Sequence, residues 1–163
     1  MINILEKLRK FETEVLISKI SVVRFDSING VKMSKDDSKA DIEPIVSHVG
    51  EIKSEKVERA ENISVEWLIG TESGAECYIR RFTMKPGGKM DLHKHDNLYH
   101  LQYVLKGNIK IVIGSEKYEV EEGSFLYIPE GTPHSYENLE NNEAQFLCII
   151  PSKEDRHTEI LSE

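Results

Sequence analysis

Residues 87–107 read GGKMDLHKHDNLYHLQYVLKG, and residues 123–138 read GSFLYIPEGTPHSYEN. Both blocks are short runs of apolar and β-branched residues cut by Gly, Pro and Asn, which is how strands and tight turns are written. Between them, residues 109–120 (IKIVIGSEKYEV) alternate around Gly114-Ser115-Glu116 and predict a hairpin. The same texture extends outward in both directions. Upstream, Ile63, Val65, Trp67 and Ile69 alternate with Ser64, Glu66 and Leu68. Strands are expected over Cys77–Met84, Lys89–His95, Leu101–Leu105, Ile109–Ile113, Lys117–Val120, Ser124–Ile128, His134–Tyr136 and Gln145–Ile150. Their even spacing predicts an all-β sandwich or small closed barrel, because parallel α/β folds need helices between the strands.

Four of the six histidines fall inside the two blocks. His93 and His95 are two apart on an expected strand, so their side chains point to one face. His100 opens the next strand, and His134 follows Pro133 at the mouth of a later one. Imidazole is the commonest metal ligand, and a same-face pair needs only one or two further donors to close a site. Taken alone, His-x-His is equally compatible with two exposed strand histidines.

The spacing Gly87-x5-His93-x-His95-x4-His100-x6-Gly107 resembles the first signature of the cupin superfamily. Gly123-x5-Pro129-x-Gly131-x2-His134-x3-Asn138 matches the second at every position. The resemblance covers about residues 51–151 and implies a double-stranded β-helix, the jelly-roll barrel. In the first signature a glutamate is normally present; here His100 stands at its position, and no Glu occurs between Glu76 and Glu116. The resemblance, closest to small four-histidine cupins, therefore implies one divalent transition metal (Fe, Mn, Ni, Zn or Cu) held by His93, His95, His100 and His134. A three-histidine site, with His100 turned into a hydrogen-bond network, is the alternative. Four neutral imidazoles leave the full dication charge uncompensated, which favours the divalent state and anionic chelating ligands.

Strand parity nominates the surrounding pocket. Gln102 shares the face of His100 and offers an amide. Cys148 is either a buried inert thiol or a residue facing the metal. Arg80 and Arg81 lie on opposite faces, so one of them can point inward and bind a carboxylate; Arg81 and Tyr78 are carried as the pocket candidates. Asn138 is expected to tie down its turn through side-chain hydrogen bonds, and Trp67 to serve as a core or interface aromatic. His48 and His157 lie outside both signatures and read as surface residues.

The chain has 163 residues with 39% hydrophobic content, enough for one globular core. Its 21 Lys and Arg stand against 29 Asp and Glu, a net charge of −8 that argues against nucleic-acid or anionic-membrane binding. No apolar run is long enough to span a bilayer, the N-terminus lacks a signal-peptide pattern, and two distant cysteines form no disulfide framework. A cytoplasmic protein is expected. Residues 1–45 read as an N-terminal extension with an amphipathic helix over Ile4–Leu16, a short strand over Ile20–Phe25 and a polar loop over Lys32–Asp41. Residues 46–163 read as the barrel domain. The resemblance further implies a homodimer and a small-molecule ligand. It leads to a dioxygenase-type oxidoreductase acting on a chelating organic substrate. An isomerase, epimerase or lyase and a non-catalytic binding module are the rivals; the sequence names no nucleophile or general base.

Overall fold

The computed structural model of the protein describes residues 43–155 and 157–161. The helix, strand and loop expected before residue 42 lie outside the described residues. Ten strands are present among the described residues: β1 (Glu55–Lys56), β2 (Ala60–Ile69), β3 (Cys77–His95), β4 (His100–Lys106), β5 (Ile109–Ile113), β6 (Glu116–Val120), β7 (Phe125–Ile128), β8 (His134–Glu137), β9 (Ala144–Pro151) and β10 (Thr158–Ile160). Two single 3-10 turns, Val49–Glu51 and Thr71–Ser73, are the only helical elements among the described residues. The all-β expectation holds, and the fold is the jelly roll.

One strand organises the sheet. The two strands expected over Cys77–Met84 and Lys89–His95 are a single strand, β3, that continues through Pro86-Gly87-Gly88. Its first half pairs with β9 over Cys77–Met84, and its second half pairs with β8 over Lys89–His93. The strand order β6-β5-β8-β3-β9-β4-β7 therefore turns about β3, which belongs to both halves of the curled sheet. Along its other edge β3 pairs with β2 and, at His93–His95, with β10. The bend is locked from outside the strand. The Asn138 amide reaches the Met84 and Lys85 carbonyls at 3.0 and 3.1 Å and the Asn142 carbonyl at 2.8 Å, while its oxygen accepts from the Glu140 amide. Asn138 thus ties its own turn to the bend of β3.

Directly opposed residues in a sheet share a face, so the register identifies the inner surface. One row runs Val65, Phe82, Phe146 and Val104, all buried, and the next runs Trp67, Arg80, Cys148, Gln102 and Leu126. Phe82, Phe146 and Tyr136 stack in sequence at centroid separations of 5.0 and 5.3 Å, making an aromatic floor to the core. Tight closure also fixes Gly107: its φ is +74°, and a Cβ there would meet Ala144 at 3.0 Å. On the opposite face of the β9-β4-β7 sheet, Leu101, Tyr103, Phe125 and Tyr127 are solvent-exposed.

Candidate metal centre

The inner face of the barrel brings the four histidines together. His93 and His95 stand near the end of β3, His134 opens β8 directly opposite His93, and His100 opens β4. All four are buried. Ring centroids are 4.3 Å apart for His93 and His134, 4.8 Å for His100 and His134, and 5.1 Å for His95 and His100. The donor atoms of His93, His95 and His134 all lie within 4.8 Å of one another. His100 borders this group, outside that tightest set.

Each ring is held by its Nδ1. His93 Nδ1 is 2.7 Å from the Asp91 carbonyl and His134 Nδ1 is 2.8 Å from the Thr132 carbonyl, so in both rings Nδ1–H donates and Nε2 keeps a lone pair. His95 Nδ1 lies 2.9 Å from the Asp155 carboxylate and 2.8 Å from the Thr158 hydroxyl, and these two partners bond each other. His100 Nδ1 is 3.3 Å from Cys148 Sγ. Holding one imidazole nitrogen by a hydrogen bond is how proteins fix the tautomer and aim of a metal-binding histidine.

The opposite nitrogens are the informative ones. Nε2 of His100 and of His134 is buried and has no hydrogen-bond partner among the described residues. A buried polar atom without a partner is costly, and native structures contain few of them. Burial pushes all four histidines below their ordinary pKa, and like-charged neighbours add to it: His93 to about 4, His134 to about 3 and His100 to about 2. For His95 the Asp155 carboxylate opposes the effect of burial. The cluster is therefore neutral at ordinary pH, the state in which imidazole donates to a metal. The donor chemistry fits a borderline divalent ion such as Zn, Ni, Cu or Fe(II).

The cluster opens onto a cavity of about 130 Å³ whose other walls include Arg59, Arg80, Asp91, Gln102, Tyr136 and Cys148. Gln102 is buried there, its Nε2 2.6 Å from the Tyr136 hydroxyl and its Oε1 unpartnered. Burial raises the Tyr136 pKa well above the usual phenol range, so the hydroxyl stays protonated. Cys148, on the inward row of β9, receives Arg80 Nη2 at 3.3 Å in addition to His100.

Two pocket candidates lie elsewhere. Arg81 is on the opposite face and pairs with Glu66 at 3.0 Å, while Tyr78 packs edge-on against Trp67 at 6.0 Å, away from the cavity lining. Arg80 is the inward arginine. The reason is a bulge: β3 spends three residues from Met90 to His93 where β8 spends two from Tyr136 to His134, so even positions face inward before it and odd positions after it. Asp155 and Thr158 carried no sequence signal, being about sixty residues from His95 in a polar tail. His48 is exposed and caps the first 3-10 turn, and His157 is exposed.

Comparison with known proteins agrees with this geometry. A family model described as Cupin domain matches residues 80–150. Over 76 residues the chain is 40% identical to the uncharacterized protein MJ1618 of Methanocaldococcus jannaschii, covering 46% of this chain and 61% of that protein. It is 29% identical over 70 residues to an oxalate-binding protein of Thermotoga maritima, covering 43% and 58%. The chain thus spans about six tenths of the length of these curated relatives. Among solved structures, the polyketide cyclase RemF from Streptomyces resistomycificus superposes with a TM-score of 0.68 at 28% identity, covering 74% of this chain and 89% of RemF. The family model matched over residues 80–150, the jelly-roll sheet and these likenesses together support a cupin-superfamily domain in this part of the chain.

Proposed function

We propose that the barrel binds one divalent transition metal through Nε2 of His93, His95, His134 and His100 and acts as an enzyme on a small chelating organic substrate. The observation that carries this reading is the pair of buried, partnerless Nε2 atoms of His100 and His134 within a cluster of neutral imidazoles whose Nδ1 atoms are engaged. A bound cation would satisfy those lone pairs and supply Lewis-acid or redox chemistry with coordination positions left open to substrate. Asp155, Thr158 and Cys148 would act through the histidines they hold, fixing each ring's aim. Gln102 would orient the ligand with its free Oε1.

Dioxygenase-type oxidoreduction is the first reaction to test. Proton-transfer chemistry needs a positioned base near its working pH, and the cavity offers little of that kind beside the histidines: Tyr136 is held protonated, and Asp91 is exposed and paired with Lys89 at 3.5 Å. The likeness to RemF, a polyketide cyclase, favours a second reading, a metal-assisted reaction without O2. Elemental analysis of protein purified without added metal tests the metal. Consumption of O2 by Fe(II)- or Mn(II)-loaded protein with diketones or phenols supports the first reaction, and anaerobic turnover with Zn supports the second. One metal per chain is expected, reduced in both His134→Ala and His100→Ala; full occupancy in His100→Ala leaves a three-histidine site.

A further inference from the structure

Arg80 is placed as no other cation among the described residues is. It lies in the inner row of β3 between Trp67 and Cys148, and it lines the same cavity as the histidines. Its guanidinium carbon stands 5.3 Å from the Trp67 ring centroid and 5.2 Å from that of Phe82, so two aromatic rings hold the head in place. Among the described residues only the Cys148 sulfur receives a hydrogen bond from it, and its buried Nε has no partner there. Among the described residues no carboxylate pairs with Arg80, whereas the adjacent Arg81 has Glu66 at 3.0 Å. An arginine keeps its charge at any relevant pH and carries five N–H donors in a planar fork matched to a carboxylate. Holding such a fork in a cavity wall without an anion leaves desolvated charge and donors unanswered. Arg59 adds a second positive charge to the same lining, against the single carboxylate of Asp91.

We infer that Arg80 is the specificity determinant of this pocket and anchors a carboxylate of the ligand, so that the domain selects small organic acids carrying a carboxylate separate from the chelating group. The chelating half of this inference rests on the metal reading above; the Arg80 half rests on the guanidinium and its missing anion. The ligand's chelating end meets the histidines, its far carboxylate takes the fork of Arg80, and Gln102 Oε1 accepts a hydrogen bond from a hydroxyl between them.

Lactate and malate form a matched pair of probes, since both present a 2-hydroxy-carboxylate and only malate adds a second carboxylate. Each is titrated calorimetrically, as both enantiomers, into Zn- or Ni-loaded protein whose metal content is measured on the same sample. The expected result is malate binding at least ten-fold more tightly than lactate. Arg80→Gln should abolish that preference by weakening malate far more than lactate, with metal content measured on each variant, and Arg80→Lys, which keeps the charge without the fork, should retain part of it. Equal binding of the two acids by the unaltered protein, or an undiminished preference in a folded Arg80→Gln or Arg80→Lys variant, overturns the assignment. Protein that holds no metal overturns the metal reading alone. Succinate titrated into that metal-free protein then decides Arg80: saturable binding lost in Arg80→Gln supports it, and absence of binding or binding indifferent to the substitution overturns it.

Discussion

Acidifying the metal-free protein from pH 8 to pH 5 should remove much of its stability, and the amount follows from three buried rings. His93, His134 and His100 have folded-state pKa values of about 4, 3 and 2, against about 6.5 in an unfolded chain. At pH 5 the unfolded chain protonates all three while the folded chain leaves them neutral. Unfolding therefore takes up about three protons, and stability rises with pH across this window. Integrated from pH 8, each ring costs about 2 kcal/mol at pH 5, or about 6 kcal/mol together. A domain of this kind has only about 5–15 kcal/mol in total. The carboxylates whose pKa is lowered, Asp155 among them, lose their contribution only below the ordinary carboxylate range and stay outside the window. Urea midpoints of EDTA-treated protein at pH 8, 6.5, 6 and 5 read the effect directly, provided the m-value is constant. His100→Gln should shrink the loss by about a third, since it removes one of three equal contributions. A midpoint that is level from pH 8 to pH 5 would refute the claim that these rings are buried and neutral.

Three other outcomes follow from the same geometry. Asp155→Asn keeps the shape of the brace on His95 but removes its charge, and should weaken metal binding by about 10–100-fold in a competitive chelator titration without changing stoichiometry. Asn138→Ala strips hydrogen bonds from four backbone groups at the bend of β3; its unfolding free energy should fall by about 2–4 kcal/mol in denaturant melts. The homodimer implied by the family resemblance would find its apolar surface at Leu101, Tyr103, Phe125 and Tyr127, so Phe125→Glu with Tyr127→Glu should shift light-scattering mass from dimer to monomer.

The sequence carries the site more legibly than its setting. Glycines and prolines mark most strand ends because turns impose local backbone demands, and the hairpin of β5 and β6 appears over residues 109–120, where alternation places it. The rings of His93, His95, His100 and His134 lie side by side, a grouping that the family resemblance implies and that local pattern alone does not. Tertiary choices are harder to read. Pro86-Gly87-Gly88 looks like a turn, yet β3 runs through it because Asn138, fifty residues downstream, receives the bend. The inward arginine depends on a bulge that reverses parity between Met90 and His93, and no local signal marks that extra residue. Asp155, Thr158 and β10 come from a polar tail whose pattern says nothing about its destination.

The brace on His95 also ties the cluster to a distant stretch of the chain. Asp155 and Thr158 stand some twenty residues beyond His134 in the chain. Any ion the cluster held would owe the aim of one of its ligands to the docking of this distant segment.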